Sequence, residues 1–385
     1  MKILIINNFN SENRVGGVEH YLHELIQYAQ KSNSHYIFKW FGKNKIKTNW
    51  IEKFYHKTIT QEIILEIENF QPDIIHCFSI GAPITPHFMK FAKSRGIPIV
   101  FSFRDYYYIC PKNYMLNDKN NVIHHHDSAL KCILYHQPKR NIIFDAALYL
   151  KQLHHKRIIK KYIDYFLSPS ENLTEFVSHY FQKEGKTLPN PLLIEENTAQ
   201  KTEENYILFV GRLVPEKGVL TLLKVFKNIC KKHPNEKLWI VGEGNQSEEL
   251  LNYKKINNLE NVTFLGAKSR NELQDIYANC KFSVVPSEYL EAYGNVVLES
   301  LAFGKTLIVS DLVGLKNEIE QNDVGLLYHY QNPKELETKI IELLSNSNLK
   351  SKLENNISNY LTTKTFSKHF EDLVSVYEDL LSRKS

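Results

Sequence analysis

Two glutamates lie near the junction between a predicted buried strand and the helix that follows it. Glu291 and Glu299 have seven residues between them, the strand candidate Phe282–Val285 precedes them, and a helix candidate starts at Asn295. Ligands of open α/β sheets bind outside the carboxyl ends of such strands. Gly294 would let the backbone approach a ligand closely, and the free N–H groups of the helix would suit a phosphate. Solvated helix-end glutamates are the alternative interpretation, but strand, glycine and helix together favour a ligand site.

Two cations follow an earlier strand in the same way. Arg212 and Lys217 lie in the loop between the strand candidate Tyr206–Val210 and the helix candidate Gly218–Lys231. Arginine offers forked donors to phosphate oxygens, lysine offers a compact point charge, and a diphosphate leaving group uses both. Ordinary surface charge is the alternative. As an exposed loop residue, Lys217 should matter strongly for turnover but change stability by at most about 0.5 kcal/mol.

A pair of glycines follows the first strand. Gly16 and Gly17 precede a helix candidate at Val18–Gln30, and such a loop suits close backbone approach to an anionic ligand. A plain turn explains this pattern equally well. His76 lies in another strand candidate, Ile74–Cys77, where both core packing and contact with a substrate fit.

Cysteine and histidine residues cluster in one loop-like region. Their spacing matches no standard zinc pattern, so an irregular substrate-side loop is favoured over a metal site. The neighbouring run Tyr106–Tyr108 suits packing, with a sugar or lipid site as the alternative. The clustered residues are Cys110, His124, His125, His126, Cys132 and His136.

Basic residues are concentrated in one segment. Residues 139–161 carry seven lysines or arginines against a single acidic residue, Asp145. The stretch Asp145–Tyr162 also fits a helix that carries leucine and tyrosine. A basic helix with an apolar edge can lie on an anionic membrane. A surface helix packed on its own domain is the equally weighted alternative.

Composition indicates a globular protein. The 385 residues are 43% hydrophobic and 24% charged, which suits two folded domains and excludes a disordered chain.

The apolar runs are strand-sized and the N-terminus does not resemble a secretory signal, so we expect a cytoplasmic location. Five cysteines, an odd number, fit reduced thiols better than a disulfide framework. The net charge of +5 allows an anionic ligand or surface, and we expect no nucleic-acid partner.

Short apolar strands alternate with helices along both halves of the chain, which predicts α/β domains with parallel sheets covered on both faces. The polar run Glu195–Asn205 interrupts this alternation. We therefore predict two Rossmann-like domains, residues 1–190 and 191–365, with a closing helix at 366–385 that packs back on the first. The strand candidates are Ile3–Ile6, Tyr36–Phe41, Ile74–Cys77, Ile99–Phe103, Phe166–Leu167, Tyr206–Val210, Lys237–Val241, Val262–Leu265, Phe282–Val285 and Thr306–Val309.

The order of these motifs resembles the retaining glycosyltransferases of family 4, which have the GT-B fold, over nearly the whole chain. The resemblance implies transfer of a hexose from a nucleotide sugar, by preference UDP-linked, to a glycan or lipid-linked acceptor in bacterial surface polysaccharide synthesis. It implies a donor held in the cleft between the two domains, with the acceptor on the first. Besides the segments above, those that carry it are Pro169–Glu171, Asn190–Pro191, Gly242–Gly244, Ser300–Lys305, Gly314 and Gly325–Leu327.

The resemblance also implies roles for individual residues. Arg212 and Lys217 correspond to the clamp on the donor diphosphate and are expected to be catalytic together with Glu291, which faces the transferred sugar. Because these paired cations would do the work of a metal ion, we expect no metal and no other cofactor. Glu299 corresponds to the carboxylate that binds the ribose. The remaining donor contacts implied are Gly16, Gly17, Gly294, Asn295 and Val296.

One position departs from the family pattern. Similar enzymes have His-Asp after the fourth strand, where this chain has Arg104 and Asp105. The family histidine reaches the reacting sugar, whereas an arginine stays charged and cannot act as a base. Arg104, Asp105 and His76 are the candidates on the acceptor side. Arg104 is suited to an anionic group, and a structural role in the loop is the equal alternative for Asp105. A sugar-nucleotide epimerase of the same fold and a non-catalytic subunit are the alternative functions, and the inner face of the cell membrane is the alternative location.

Overall fold

The computed structural model describes residues 1–10, 17–32, 35–43, 46–110, 115, 142–192 and 205–383. The chain divides into two compact units, which consist of residues 1–189 together with 367–385, and of residues 190–366. These bounds lie within one residue of the domain limits expected from the interrupted strand–helix alternation.

The N-terminal unit is built on a parallel sheet. Its six described strands follow the order β2-β1-β3-β4-β5-β6, and the residues of β3, β4 and β5 are all buried. Strands covered on both faces need apolar side chains on both, which explains their continuous Ile, Val and Phe content. The strands are β1 Lys2–Ile6, β2 Ile37–Phe41, β3 Ile74–Cys77, β4 Ile99–Ser102, β5 Tyr165–Ser168 and β6 Gly185–Thr187.

Helices connect these strands, and their ends follow local sequence signals. The Ser170 hydroxyl accepts from the Leu173 N–H at the start of one helix, and the His56 ring accepts from the Ile59 N–H at another. Side-chain caps of this kind satisfy backbone N–H groups that the first helical turn leaves without partners. The helices are α1 Gly17–Lys31, α2 Trp50–Phe54, α3 Lys57–Phe70, α4 Phe88–Ser94, α5 Ile142–Tyr162 and α6 Glu171–Phe181.

The C-terminal unit repeats the architecture with a second six-stranded parallel sheet, in the order β12-β11-β10-β7-β8-β9. Its strands are β7 Tyr206–Val210, β8 Lys237–Val241, β9 Val262–Phe264, β10 Phe282–Val285, β11 Leu307–Ser310 and β12 Gly325–Tyr328. A 3-10 turn, Pro215–Lys217, precedes helices α7 Val219–Lys232, α8 Ser247–Ile256, α9 Arg270–Asn279, α10 Asn295–Ala302, α11 Lys316–Gln321, α12 Pro333–Ser345 and α13 Ser347–Thr362; α14, Phe366–Ser382, closes the chain.

The strand order of this second sheet brings β7 and β10 side by side. Phe282 pairs with Ile207 and Ser283 pairs with Leu208, although the chain forms β8 and β9 between them. The strand order therefore reverses between β7 and β10, because the chain continues from β7 to β8 on one side and from β10 to β11 on the other. In open α/β sheets such a reversal leaves a crevice at the carboxyl ends of the two strands, where ligands bind.

The closing helix belongs to the N-terminal unit, as expected. From Ser367 onward it is part of that unit, and its Tyr377 hydroxyl lies 2.6 Å from Nδ1 of His76 on β3. None of the helices formed by the described residues is both long and apolar enough to cross a bilayer.

Candidate active site

The loops after β7 and β10 are joined directly through their backbones. The N–H of Glu288 donates to the carbonyl oxygen of Glu216 at 2.8 Å. Gly218, with φ of 69°, packs so closely that an added Cβ would lie 1.9 Å from the carbonyl oxygen of Pro286. Only glycine fits this contact, because a Cβ would both clash and disfavour the left-handed backbone. The two loops therefore form one platform.

Lys217 and Glu291 form an ion pair on this platform. Lys217 Nζ lies 2.7 Å from Glu291 Oε1, and the two side chains are only 15% and 7% exposed. The hydroxyl of Ser287 donates to the same carboxylate oxygen. Burial lowers the pKa of Lys217, but the Glu291 carboxylate and the nearby Tyr289 outweigh it, so that its pKa is raised on balance. The amine is therefore firmly charged at neutral pH.

This pairing corrects one expectation from the sequence. Lys217 was predicted to be an exposed loop residue, and that is wrong, because its side chain is largely buried against the Glu291 carboxylate. The small effect on stability that was predicted from exposure therefore loses its basis. Removing one partner of a buried pair leaves the other charge without compensation.

Arg212 occupies the start of the same loop and is exposed. Within the described part of the chain, its guanidinium group makes no hydrogen bond or ion pair, so its donors remain available to a ligand. The loop beneath it is fixed by backbone hydrogen bonds from Gly211 to Val241 and from Leu213 to Glu243. The Gly242–Gly244 segment thus supports the position of the arginine.

Gly294 sets the direction of α10. It adopts φ of 105°, and a Cβ added there would come within 2.9 Å of the Val313 side chain. No side chain caps the helix that follows. Asn295 is exposed at its first position, Val296 follows half-buried, and the Asn295 amide oxygen accepts from Asn190 Nδ2 at 3.0 Å. That these two residues and Gly294 contact the donor stays a prediction from the resemblance.

Glu299 lies one turn further along α10. Tyr277 donates its hydroxyl to Glu299 Oε2 at 2.9 Å. Burial raises the pKa of Glu299, although the hydrogen bond from Tyr277 and the charge of Arg270 act in the opposite direction. Tyr277 stacks on Phe303 with ring planes 5° apart. Sequence analysis missed Tyr277 because it lies on α9, and no motif spacing connects it with Glu299.

The candidates after β1 are only partly described. Gly16 lies outside the described residues, while Gly17 begins α1. Glu19, in the first turn of α1, is 5% exposed and accepts from Asn7 Nδ2 at 2.8 Å. This bond fixes the start of α1 against the end of β1.

His76 is a core residue. It is completely buried, its Nδ1 faces Tyr377, and its Nε2 lies 2.8 Å from the Ser102 hydroxyl. Burial holds the pKa of His76 well below its usual range, with a further contribution from the charge of Arg104. The prediction that His76 contacts an acceptor does not fit this position, because both ring nitrogens are engaged inside the unit.

Arg104 and Asp105 line a cavity of about 350 Å³ in the N-terminal unit. The Arg104 guanidinium carbon lies 4.6 Å from the ring centre of Tyr21 and 5.4 Å from that of Phe78, so aromatic rings orient it. Asp105 accepts from the N–H of Tyr107 at 3.0 Å. Among the tyrosines, Tyr106 is 1% exposed and packs in the core, whereas Tyr107 lines the cavity.

The remaining cysteine and histidine candidates are mostly outside the described residues. Cys110 is buried, and His124, His125, His126, Cys132 and His136 lie in the part that the structure does not describe. No group of three or more histidine, cysteine or acidic side chains arranged to hold a metal occurs among the described residues.

The basic segment forms α5 from Ile142 onward. Its polar side chains are not all on the outside, since Lys151, Gln152 and His155 are at most 5% exposed. Leu150, by contrast, is 59% exposed. Much of the helix therefore packs on its own unit, while Leu150 remains on the surface.

Comparisons with known proteins find similarity to glycosyltransferases. Residues 193–360 match the family model described as glycosyl transferases group 1. An uncharacterized glycosyltransferase of Methanocaldococcus jannaschii is 31% identical over 53% of this chain and 58% of its own length. The lipopolysaccharide 1,2-N-acetylglucosaminetransferase of Salmonella typhimurium is 26% identical over 45% of this chain and 47% of its own length. The chain thus spans about half the length of the curated relatives it matches.

Solved structures share the fold. The HepE protein of Anabaena, in complex with UDP, has a TM-score of 0.69 over 98% of this chain and 100% of its own, at 14% identity. The predicted α/β class, with two Rossmann-like units of the GT-B type, is confirmed. The segment that matches the family model contains Arg212, Lys217, Glu291 and Glu299.

Proposed function

We propose that this chain is a glycosyltransferase whose C-terminal unit binds a nucleotide-sugar donor. One observation carries the proposal: two cations and a fixed carboxylate meet at the point where the strand order reverses between β7 and β10. Arg212 and Lys217 come from one loop and Glu291 from the other. Ligands of open α/β sheets bind at such a reversal, and all three residues lie in the segment that matches the family model.

The two cations are suited to a departing diphosphate. Negative charge on the leaving group grows as the sugar bond breaks, so fixed positive charges stabilise the transition state more than the ground state. An ammonium group has three donors. Lys217 is hydrogen-bonded to Glu291 and to Tyr289, which leaves one donor for a phosphate oxygen. Arg212 adds a forked pair.

The carboxylates are assigned to the sugar moieties. Lys217 and Ser287 already engage Glu291, so its carboxylate is held as an acceptor for hydroxyls of the transferred sugar and not as a free nucleophile. Glu299, oriented by Tyr277, would accept from the ribose hydroxyls. UDP is the preferred nucleotide, because HepE, which shares the fold, was solved with UDP.

We assign the reaction as hexosyl transfer with retention of configuration. No protein nucleophile is required if a phosphate oxygen of the leaving group takes the acceptor proton on the face from which the diphosphate departs. A glycan or lipid-linked saccharide of a surface polysaccharide would be the acceptor, bound by the N-terminal unit. The similarity to the Salmonella lipopolysaccharide enzyme supports this class, and the inner face of the cell membrane would suit such acceptors.

A donor screen followed by product analysis tests the proposal. UDP-hexoses are incubated with the protein alone and with saccharide acceptors, and the anomeric configuration of any product is read by NMR. A glycoside with the donor's configuration is expected. Conversion of the donor without acceptor would indicate an epimerase, binding without turnover on any acceptor would indicate a non-catalytic subunit, and an inverted product would overturn retention.

A further inference from the structure

Lys151 is a buried cation that the donor chemistry does not use. It lies on α5, is 5% exposed, and lines the cavity of about 350 Å³ in the N-terminal unit. Its Nζ lies 5.5 Å from the ring centre of Tyr107. Across the described residues, Lys151 forms neither an ion pair nor a hydrogen bond. A lysine is rarely buried unless something balances its charge.

The burial of Lys151 disfavours the charged form of its amine. Burial lowers the pKa of Lys151, because the charged form has lost water without gaining a carboxylate. An unpaired buried cation opposes folding. Side chains that weaken the fold in this way are commonly retained where a ligand needs them.

The charges around the cavity favour an anion. Three cations, Lys53, Arg104 and Lys151, are among its described lining residues, against one carboxylate, Asp105. Asp105 is already engaged by the N–H of Tyr107. The other titratable groups on the lining are the phenols of Tyr107 and Tyr108; burial raises the pKa of both, to about 12 for Tyr107 and well above the usual range for Tyr108. The lining is therefore positive on balance.

The cavity also lies where a ligand is expected. The N-terminal sheet reverses its order between β1 and β3, and the lining includes Asn8 after β1, Phe78–Ala82 after β3 and Phe103 after β4. These segments follow the carboxyl ends of their strands, the usual ligand position in open α/β sheets. The volume is in the range of small-molecule sites, and Trp50 supplies an aromatic wall.

We propose that this cavity binds a phosphate group of the acceptor, with Lys151 and Arg104 as its counter-ions. Two cations on the lining, one from α5 and one from the loop after β4, match a doubly charged phosphate better than a carboxylate. The identification of this ligand as the acceptor rests on the proposed function. The anion site itself does not depend on it. The aromatic wall would contact the saccharide that carries the phosphate.

The test is calorimetric titration of inorganic phosphate into the full-length protein saturated with UDP, which keeps phosphate out of the donor site. Lys151→Met is compared with the wild type and with Lys156→Met. Lys156 is a matched control: it lies on the same helix, its Nζ is 4.3 Å from the ring centre of Tyr180, its pKa is lowered by burial to about 8, and it is not part of the cavity lining.

We expect Lys151→Met to weaken phosphate binding at least tenfold and Lys156→Met to leave it unchanged. Lys151→Met should also unfold at the same or a higher temperature, since it removes an unpaired buried charge. If Lys151→Met does not fold, Arg104→Met probes the same cavity from the loop after β4 and should show the same loss. Absence of saturable phosphate binding, or equal weakening in Lys151→Met and Lys156→Met, would overturn the proposal.

A second arm separates the two sources of such a phosphate. Co-sedimentation with phosphatidylglycerol vesicles, with phosphatidylcholine vesicles as the reference, is measured for the same variants. Vesicle binding that depends on Lys151 assigns the phosphate to a lipid headgroup. If phosphate binding depends on Lys151 but vesicle binding does not, the ligand is a soluble phosphorylated saccharide. UDP binding is measured separately, so that a failure of the donor assignment can be distinguished from a failure of the anion-site proposal. If UDP does not bind, the phosphate titration is run without it.

Discussion

Lys217 belongs to a buried ion pair of the fold as well as to the proposed donor site. Its ammonium group balances the nearly buried Glu291 and faces Tyr289, 5.2 Å from the ring centre. A ligand phosphate would join an existing cluster in which the ammonium is already ordered. The entropy of immobilising this long side chain is therefore lost on folding and not on donor binding.

Lys217→Ala is consequently expected to weaken the fold as well as the reaction. The loss of stability should be about 2 kcal/mol, between the small value of a surface pair and the about 3–5 kcal/mol of a fully buried one. At a temperature where the variant is still folded, turnover should fall by a factor on the order of 10²–10³. Denaturant unfolding and steady-state kinetics measure the two effects. Near-normal turnover in the folded variant would remove the lysine from the diphosphate site.

Arg212→Ala separates function from folding more cleanly. The side chain is exposed, so unfolding free energy should change by at most about 0.5 kcal/mol, whereas UDP affinity should drop at least tenfold because a charge-assisted fork is lost. Lys237→Ala is the control. Lys237 is also exposed but begins β8 at the opposite end of the sheet. Equal UDP affinity in the wild type and Arg212→Ala would contradict the assignment.

Glu299→Gln tests the carboxylate beside Tyr277. Because its pKa in the folded chain is raised, ionisation of Glu299 opposes folding: the stability it contributes is present below its ordinary pKa of 4.5 and is lost as pH rises through the raised value. Glu299→Gln should therefore be as stable as the wild type or more so at pH 7, lose part of the pH dependence above 4.5, and bind UDP more weakly. Unfolding curves from pH 4 to 8 and UDP titrations measure this. Unchanged UDP affinity would exclude a ribose contact.

At the scale of elements, the site depends on how closely the loops after β7 and β10 approach. Gly218 permits that approach, because an added Cβ would lie 1.9 Å from the Pro286 carbonyl oxygen. The contact lies beside Lys217, so any shift of this loop also moves the lysine away from Glu291.

Gly218→Ala should therefore destabilise the chain by more than its backbone conformation explains and should lower UDP affinity. Gly304→Ala is the control, since Gly304 also has φ of 69° but no atom within 4 Å of an added Cβ. The control should lose only the left-handed backbone preference, roughly 1–2 kcal/mol. Denaturant unfolding and UDP titration of both variants provide the comparison. Equal losses of stability and of UDP affinity in the two variants would mean that the loop contact contributes to neither.

Elements with strong local signals were predictable from the sequence. The strands β1, β3 and β10 and the helix α1 fall within two residues of their predicted bounds, because continuous apolar runs and helical periodicity encode them directly. The three-residue strand β6, Gly185–Thr187, carries no apolar run and was missed. The ion pair of Lys217 and the burial of Lys151 were also missed, since tertiary packing decides them.

At the scale of the whole molecule, each of the two units has a sheet edge that we propose as a ligand-binding site. The edge of the C-terminal unit carries Arg212 and the Lys217–Glu291 pair, and the edge of the N-terminal unit carries the cavity with Arg104 and Lys151. Both edges present cations, which agrees with the net charge of +5. The donor and the acceptor are both expected to be anionic.

UDP should stabilise the whole chain without a metal ion. At a concentration of 100 times its dissociation constant, a ligand that binds only the folded state adds about 2.7 kcal/mol to apparent stability. The increase should be the same with EDTA and with manganese, because the two cations neutralise the diphosphate. Thermal unfolding measures this, with Arg212→Ala as the variant that should gain less. A shift that EDTA abolishes and manganese restores would show that a metal is required.

A crystal structure of the protein with bound UDP tests the donor site most directly. The diphosphate should lie within about 3 Å of both the Arg212 guanidinium and Lys217 Nζ, with the ribose hydroxyls against Glu299. UDP ordered elsewhere on the chain, or no UDP bound at millimolar concentration, would contradict the assignment of the donor to the β7–β10 edge.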